Sequence, residues 1–153
     1  MWTRVTWRWM GAAAAILLAL VSVVVPGVAW RRHEQPPRRG TPVHVLLDDF
    51  RVRRDTAAVP AGMVRFQLLN NGPSTHEFIV VRTDRAPDKL PLQPDGLTVD
   101  EEGPGVAAVD EAEGLDIADR RTLTLGLAAG HYVLFCNMEG HYLGGMHAAF
   151  TVR

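Results

Sequence analysis

One cysteine, Cys136, stands in the whole chain of 153 residues, and that scarcity excludes several things at once. No disulfide can form within the chain, and no structural zinc site that takes two or more cysteines from one chain can be built. Lysine is as rare: fifteen of the sixteen basic residues are arginine, a bias that bears on codon usage more than on mechanism. Net charge is small as well, −1 at pH 7, and no nucleic-acid partner is expected. That charge is unevenly spread. Residues 1–40 hold Arg4, Arg8, Arg31, Arg32, Arg38 and Arg39 against Glu34 alone, a net of +5, which leaves −6 for the rest. There is no alternation of strand-like and helix-like segments, so a parallel α/β sheet has little support. The length suffices for one domain with a true core plus an N-terminal extension.

Charge is wholly missing from residues 9–30, a run of twenty-two. It reads as an N-terminal hydrophobic helix that serves as an export signal or a membrane anchor, with Arg4 and Arg8 before it. Trp7, Trp9 and Trp30 suit membrane interfaces, while Gly27, Val28 and Ala29 after Pro26 suit a signal peptidase. Either use places the remainder outside the cytoplasm, as a membrane-anchored, periplasmic or secreted domain. Residues 31–40 form a basic, proline-containing linker that reads as a solvated tether, with contact to anionic lipid as its other use.

Residues 41–153 form the domain proper, and they read as many short strands. Residues 43–52 make one strand-like run. A Pro60–Gly62 turn leads into residues 63–69, where Val64, Phe66 and Leu68 share one face and Met63, Arg65 and Gln67 the other. Asn70, Asn71, Gly72 and Pro73 are turn chemistry before a strand at 77–82. Further strands follow at 121–127, 130–135 and 148–152. Short strands between Gly/Pro turns argue for an all-β, antiparallel sandwich. The exception is an insert at 83–119. It carries eleven carboxylates against Arg85 and Lys89, and only residues 106–113 look weakly helical. As a charge run it reads as a solvated excursion between the sheets, or as an acidic docking surface for a basic partner. The spacing of an EF-hand calcium loop is absent.

The chemistry concentrates in residues 136–146. Cys136 is followed by His141 after four residues and by Met146 after four more, on a glycine-rich turn at the end of a strand. Singly, each has an ordinary explanation: a buried thiol, a surface imidazole, a core thioether. Gathered on one turn, the three soft donors match copper. The electron-transfer copper site takes two His and one Cys in a plane and a weak axial Met, so it needs one more histidine, and His76 at the head of a strand supplies it. A catalytic cysteine usually wants a helix N-terminus or a similar thiolate-stabilising setting, and here the cysteine ends a strand. A dinuclear thiolate-bridged centre is excluded, because it wants a second cysteine in this loop.

Cys136-x4-His141-x4-Met146, with residues 130–135 before it and His76 upstream, resembles the ligand set of the small blue copper proteins, the cupredoxins. The four-residue spacers are like those of auracyanin-, sulfocyanin- and rusticyanin-like members, and the likeness covers roughly residues 41–153 apart from the insert. It implies a Greek-key β-sandwich and one type 1 copper ion held by His76, Cys136, His141 and Met146. It also implies that the His141 ring edge reaches the surface through an apolar patch of Pro73, Met138, Tyr142 and Leu143, where electrons cross to partner proteins. One departure concerns Glu77, at a place where the family often has Asn or Ser to tie the ligand loops together. A carboxylate facing the thiolate has to protonate or turn away. Glu77 and Asn137 are therefore the candidates for the layer behind the ligands. His147 is directed elsewhere by strand alternation, and His33, His44 and His131 read as structural or surface residues. The function implied is electron transfer by a monomeric domain without enzymatic activity. Copper delivery or storage at the membrane is the alternative, although the five methionines lack the clustering such proteins show.

Overall fold

Alternation dictates the first sheet. In the computed structural model, which describes residues 40–153, β1 (Thr41–Asp48) buries Val43, Val45 and Leu47, and β4 (Gly62–Asn70) buries Val64, Phe66 and Leu68. The two strands run parallel, with Val43 opposite Phe66 and Leu47 opposite Asn70. β2 (Arg51–Arg54) folds back on β1, and β7 (Arg120–Leu127) flanks β4, so the order is β2-β1-β4-β7. Residues 43–52, expected as one strand, are thus two. The chain reverses at Asp49 and Phe50, and Phe50 takes a left-handed φ of 61° that no continuous strand permits.

The second sheet is ordered β3-β9-β8-β5-β6. It comprises β3 (Ala58–Val59), β5 (His76–Arg82), β6 (Ala107–Leu115), β8 (Gly130–Phe135) and β9 (His147–Val152). Inner-face residues of both sheets, among them Phe66, Phe78, Leu134 and Phe150, pack into one core, which makes the domain a sandwich. Phe66 meets Phe78 and Phe150 at ring-centroid distances of 5.3 and 5.4 Å.

Residues 106–113 are not helical. Ala and Glu favour helix locally, but the segment lies as β6 along the free edge of β5, where ladder hydrogen bonds outweigh propensity. Its register slips between the pairs His76–Leu115 and Phe78–Ala112, and Gly114, with φ 56°, absorbs the extra residue. Nor is the insert only solvated. Leu90, Val99 and Val106 cover Ile79, Val81, Val133 and Phe135 on the outer face of the second sheet. That second layer explains why Phe78, Ile79, Val80 and Val81 form an unbroken apolar run: β5 is buried on both faces. The hydrophobic helix expected within residues 1–30, and the linker up to residue 39, lie outside the described residues.

Candidate metal centre

His76 owes its place to a tightly folded turn. Asn70 is fully buried at the end of β4, where its side-chain amide donates to the carbonyls of Ser74 at 2.7 Å and Leu115 at 2.8 Å. Its oxygen accepts the Gly72 amide at 2.9 Å. With these groups satisfied, the turn delivers His76 inward at the start of β5, with no solvent exposure. Cys136 follows the last residue of β8, and Met146 immediately precedes β9, so the ligand loop is the connection of an antiparallel pair. Its neck is closed by the Cys136 amide on the Met146 carbonyl at 3.1 Å. Within it, the His141 amide donates to Met138 at 2.9 Å and the Met146 amide to His141 at 3.0 Å.

These two turns meet. Cys136 Sγ lies 4.0 Å from His76 Nδ1 and 3.6 Å from His141 Nδ1, and the three ligand atoms all fall within 4.8 Å of one another. A trigonal site with bonds of about 2.0–2.3 Å, the zinc–imidazole and zinc–thiolate lengths, sets its ligand atoms roughly 3.7 Å apart. The spacing therefore fits three ligands of one metal ion. Met146 is fully buried in the same core cluster as Cys136. Among the described residues, His76, Cys136 and His141 are the one such set of three. The donor set, two imidazoles and a thiolate with a thioether beside them, is the set that suits copper.

Electrostatics point the same way. Burial holds the His76 pKa below its ordinary value, helped by the neighbouring His141 and opposed by Asp49, a direction that favours the neutral ring a metal needs. Burial pushes the Cys136 thiol up, although the Glu77 and Met138 amides act against it. Metal binding must therefore displace a proton from the sulfur. The Glu77 amide donates to Sγ at 3.3 Å. Glu77 also lines a hollow with Glu101, Glu111 and Glu113, and its charge adds to the rise of the Cys136 thiol. Burial first, and then those three carboxylates, raise the Glu77 pKa. Asn137 instead ties the ligand loop to the insert. Its oxygen accepts the Val99 amide at 2.6 Å, and its amide donates to the Val99 carbonyl at 3.1 Å and to Glu101 Oε1 at 2.8 Å.

The surface patch expected around His141 is partly corrected. Pro73, Met138 and Leu143 are exposed, but Tyr142 is only 3% exposed and belongs to the core. Its hydroxyl accepts the Leu90 amide at 2.9 Å and donates to the Pro87 carbonyl at 2.8 Å. Phe50 takes its place. Half exposed, it meets the His141 ring edge-on at 5.4 Å. Sequence reasoning missed Phe50, and Asp49 beside it, whose Oδ1 lies 3.2 Å from His76 Nε2. The available signal was an aromatic next to two aspartates in an otherwise alternating strand. His147 points away from the ligands and packs on Tyr142 at 5.2 Å, while His44 and His131 are exposed.

No curated protein sequence matches this chain. Among solved structures, the auracyanin of Roseiflexus castenholzii superposes with a TM-score of 0.54 at 22% identity, over 74% of this chain and 98% of that one. Auracyanin B gives 0.54 at 24% identity, over 74% of this chain and 88% of the other. Rusticyanin from Thiobacillus ferrooxidans gives 0.53 at 19%, over 75% and 79%. These likenesses establish the cupredoxin fold. The sulfocyanin (SoxE) domain matches residues 55–153, which include all four candidate ligands. The chain belongs to the sulfocyanin (SoxE) domain family, blue copper proteins on the cupredoxin fold.

Proposed function

We propose that this domain is a one-electron carrier in which His76, Cys136, His141 and Met146 would hold a single copper ion. The observation that carries this reading is the convergence of two Nδ1 atoms on one buried sulfur, fixed by turns from two separate parts of the sandwich. When bound, the metal supplies a Cu(II)/Cu(I) couple. The chain holds the ligands in one geometry, excludes water from Cys136 and presents the His141 edge among Phe50, Pro73, Met138 and Leu143. One electron enters from a donor protein and leaves to an acceptor, and no atoms are exchanged. Small, apolar contact at that patch suits brief encounters with redox partners. In this reading residues 1–30 attach or export the domain, residues 31–40 tether it, and it works as a monomer outside the cytoplasm without enzymatic activity. Visible absorption of the copper-loaded protein tests the assignment. An intense thiolate-to-copper band is expected, lost in Cys136→Ala. Colourless copper binding would favour delivery or storage, and a variant that stays blue would sink the ligand set.

A further inference from the structure

The tip of the β1–β2 hairpin reaches the metal centre although it supplies no ligand. Asp49 Oδ1 and His76 Nε2 stand 3.2 Å apart, both shut off from solvent. Neither atom makes a hydrogen bond among the described residues, so each stays unpaired unless the two bond to each other. The carboxylate is held from its other side, where the Ser74 hydroxyl donates to Oδ2 at 3.0 Å. Asn71 joins the two turns: its backbone amide donates to the Leu47 carbonyl and its side chain to Asp48 Oδ1, each at 2.8 Å. Gly72 leaves the gap clear. A Cβ there would fall 2.6 Å from Asp49 Oδ1 and 2.9 Å from His76 Nε2, forcing the pair apart.

An imidazole that gives its Nδ1 lone pair to a metal carries its proton on Nε2, and a buried N–H needs an acceptor. Among the described residues, only Asp49 Oδ1 is placed to be one. We propose that Asp49 is a positioning residue: it accepts the Nε2–H of His76, and so fixes the tautomer and ring orientation in which Nδ1 faces Cys136. Its consequence for copper rests on the reading of the site given above. The tautomer itself is a property of the protein without metal. Groups placed behind metal-binding histidines commonly change metal affinity about 10–100-fold when removed.

Nitrogen-15 correlation spectra of the metal-free, full-length protein, at a mildly alkaline pH, read the tautomer directly. His76 is expected as Nε2–H in the wild type and in Asp49→Asn, whose amide oxygen can accept the same bond. In Asp49→Ala it shifts toward Nδ1–H. Copper affinity, measured by competition with a coloured chelator, falls about 10–100-fold in Asp49→Ala and is largely kept in Asp49→Asn. Gly72→Ala keeps both partners but wedges them apart, and should repeat the alanine result with the Asp49–Ser74 contact still available. Unchanged tautomer populations in both Asp49→Ala and Gly72→Ala overturn the proposal, whatever the copper affinity does. A wild type that binds no copper overturns the reading of the site instead, and leaves the tautomer result standing.

Discussion

Phe50 shows how a single residue can be kept against its own backbone preference. A left-handed φ costs an L-residue about 1–2 kcal/mol. The edge-on contact with His141 returns about 0.5–1.5 kcal/mol. Phe50→Gly should therefore leave the stability of the metal-free protein within about 1 kcal/mol of wild type, although a large aromatic is lost; chemical denaturation checks this. Gly144→Ala is different. Its Cβ would clash with the Phe50 ring, so that half-exposed ring would have to swing off His141 to make room. Glu77 gives a prediction with a definite sign. Its folded pKa is raised, so ionisation penalises the folded state; the penalty is fully present above the folded value and fades as pH falls through it. Metal-free Glu77→Gln should melt higher than wild type at neutral pH, with the gap closing on acidification. A gap that ignores pH means the carboxylate is not penalised. The ligands themselves were legible because Cys136, His141 and Met146 are neighbours in sequence, with their chemistry written in their spacing. Asp49 was not. It reaches His76 only because β1 lies parallel to β4, a pairing between distant segments that leaves no local mark.

At the scale of elements, β4 and β7 were readable because one face is wet and the other dry, which is the condition for alternation to appear. β5 and β6 break that condition in opposite ways. β5 is dry on both faces, and β6 is an acidic edge whose helix-favouring residues are overruled by a neighbour far along the chain. Tyr142 failed for a related reason: an amphipathic ring suits a surface or a core with one hydrogen bond to make, and only the insert supplies the Leu90 and Pro87 backbone that settles it. Tyr142→Phe should leave the Leu90 amide unpaired and cost about 1–3 kcal/mol. Hydrogen exchange should then quicken at Leu90 and Val99 more than in β4. Equal acceleration everywhere would mean that the hydroxyl does not hold the insert.

On the scale of the whole domain, charge is segregated. Arg53, Arg65 and Arg120 lie along the first sheet, and Glu77, Glu101, Glu111 and Glu113 gather beside the ligand loop on the second. If the domain carries electrons as proposed, a cationic donor would be steered toward the second sheet, and exposed charges are screened within about 10 Å at 0.1 M salt. The rate of electron transfer from such a donor should fall as salt is raised, and the combined Glu101→Gln and Glu111→Gln protein should show a flatter dependence. An identical slope in both proteins would remove the acidic face from the encounter. Glu111 and Glu113, with Asp110, also guard an open sheet edge, since β6 would otherwise offer a free ladder to a second copy.

The ligand loop closes its own neck, yet it is stitched to the insert at three places: Asn137 to Val99, the Gly140 amide to the Leu97 carbonyl at 3.2 Å, and Tyr142 to Leu90. Loop and insert are thus one structural unit, although some forty residues part Leu97 from Asn137 in the chain. Lengthening either half alone would pull the stitches out of register. Family members that alter the number of residues between Cys136 and Met146 should carry a matched change between Leu90 and Val99, and a loop transplanted from another cupredoxin should be accepted only with its own strap.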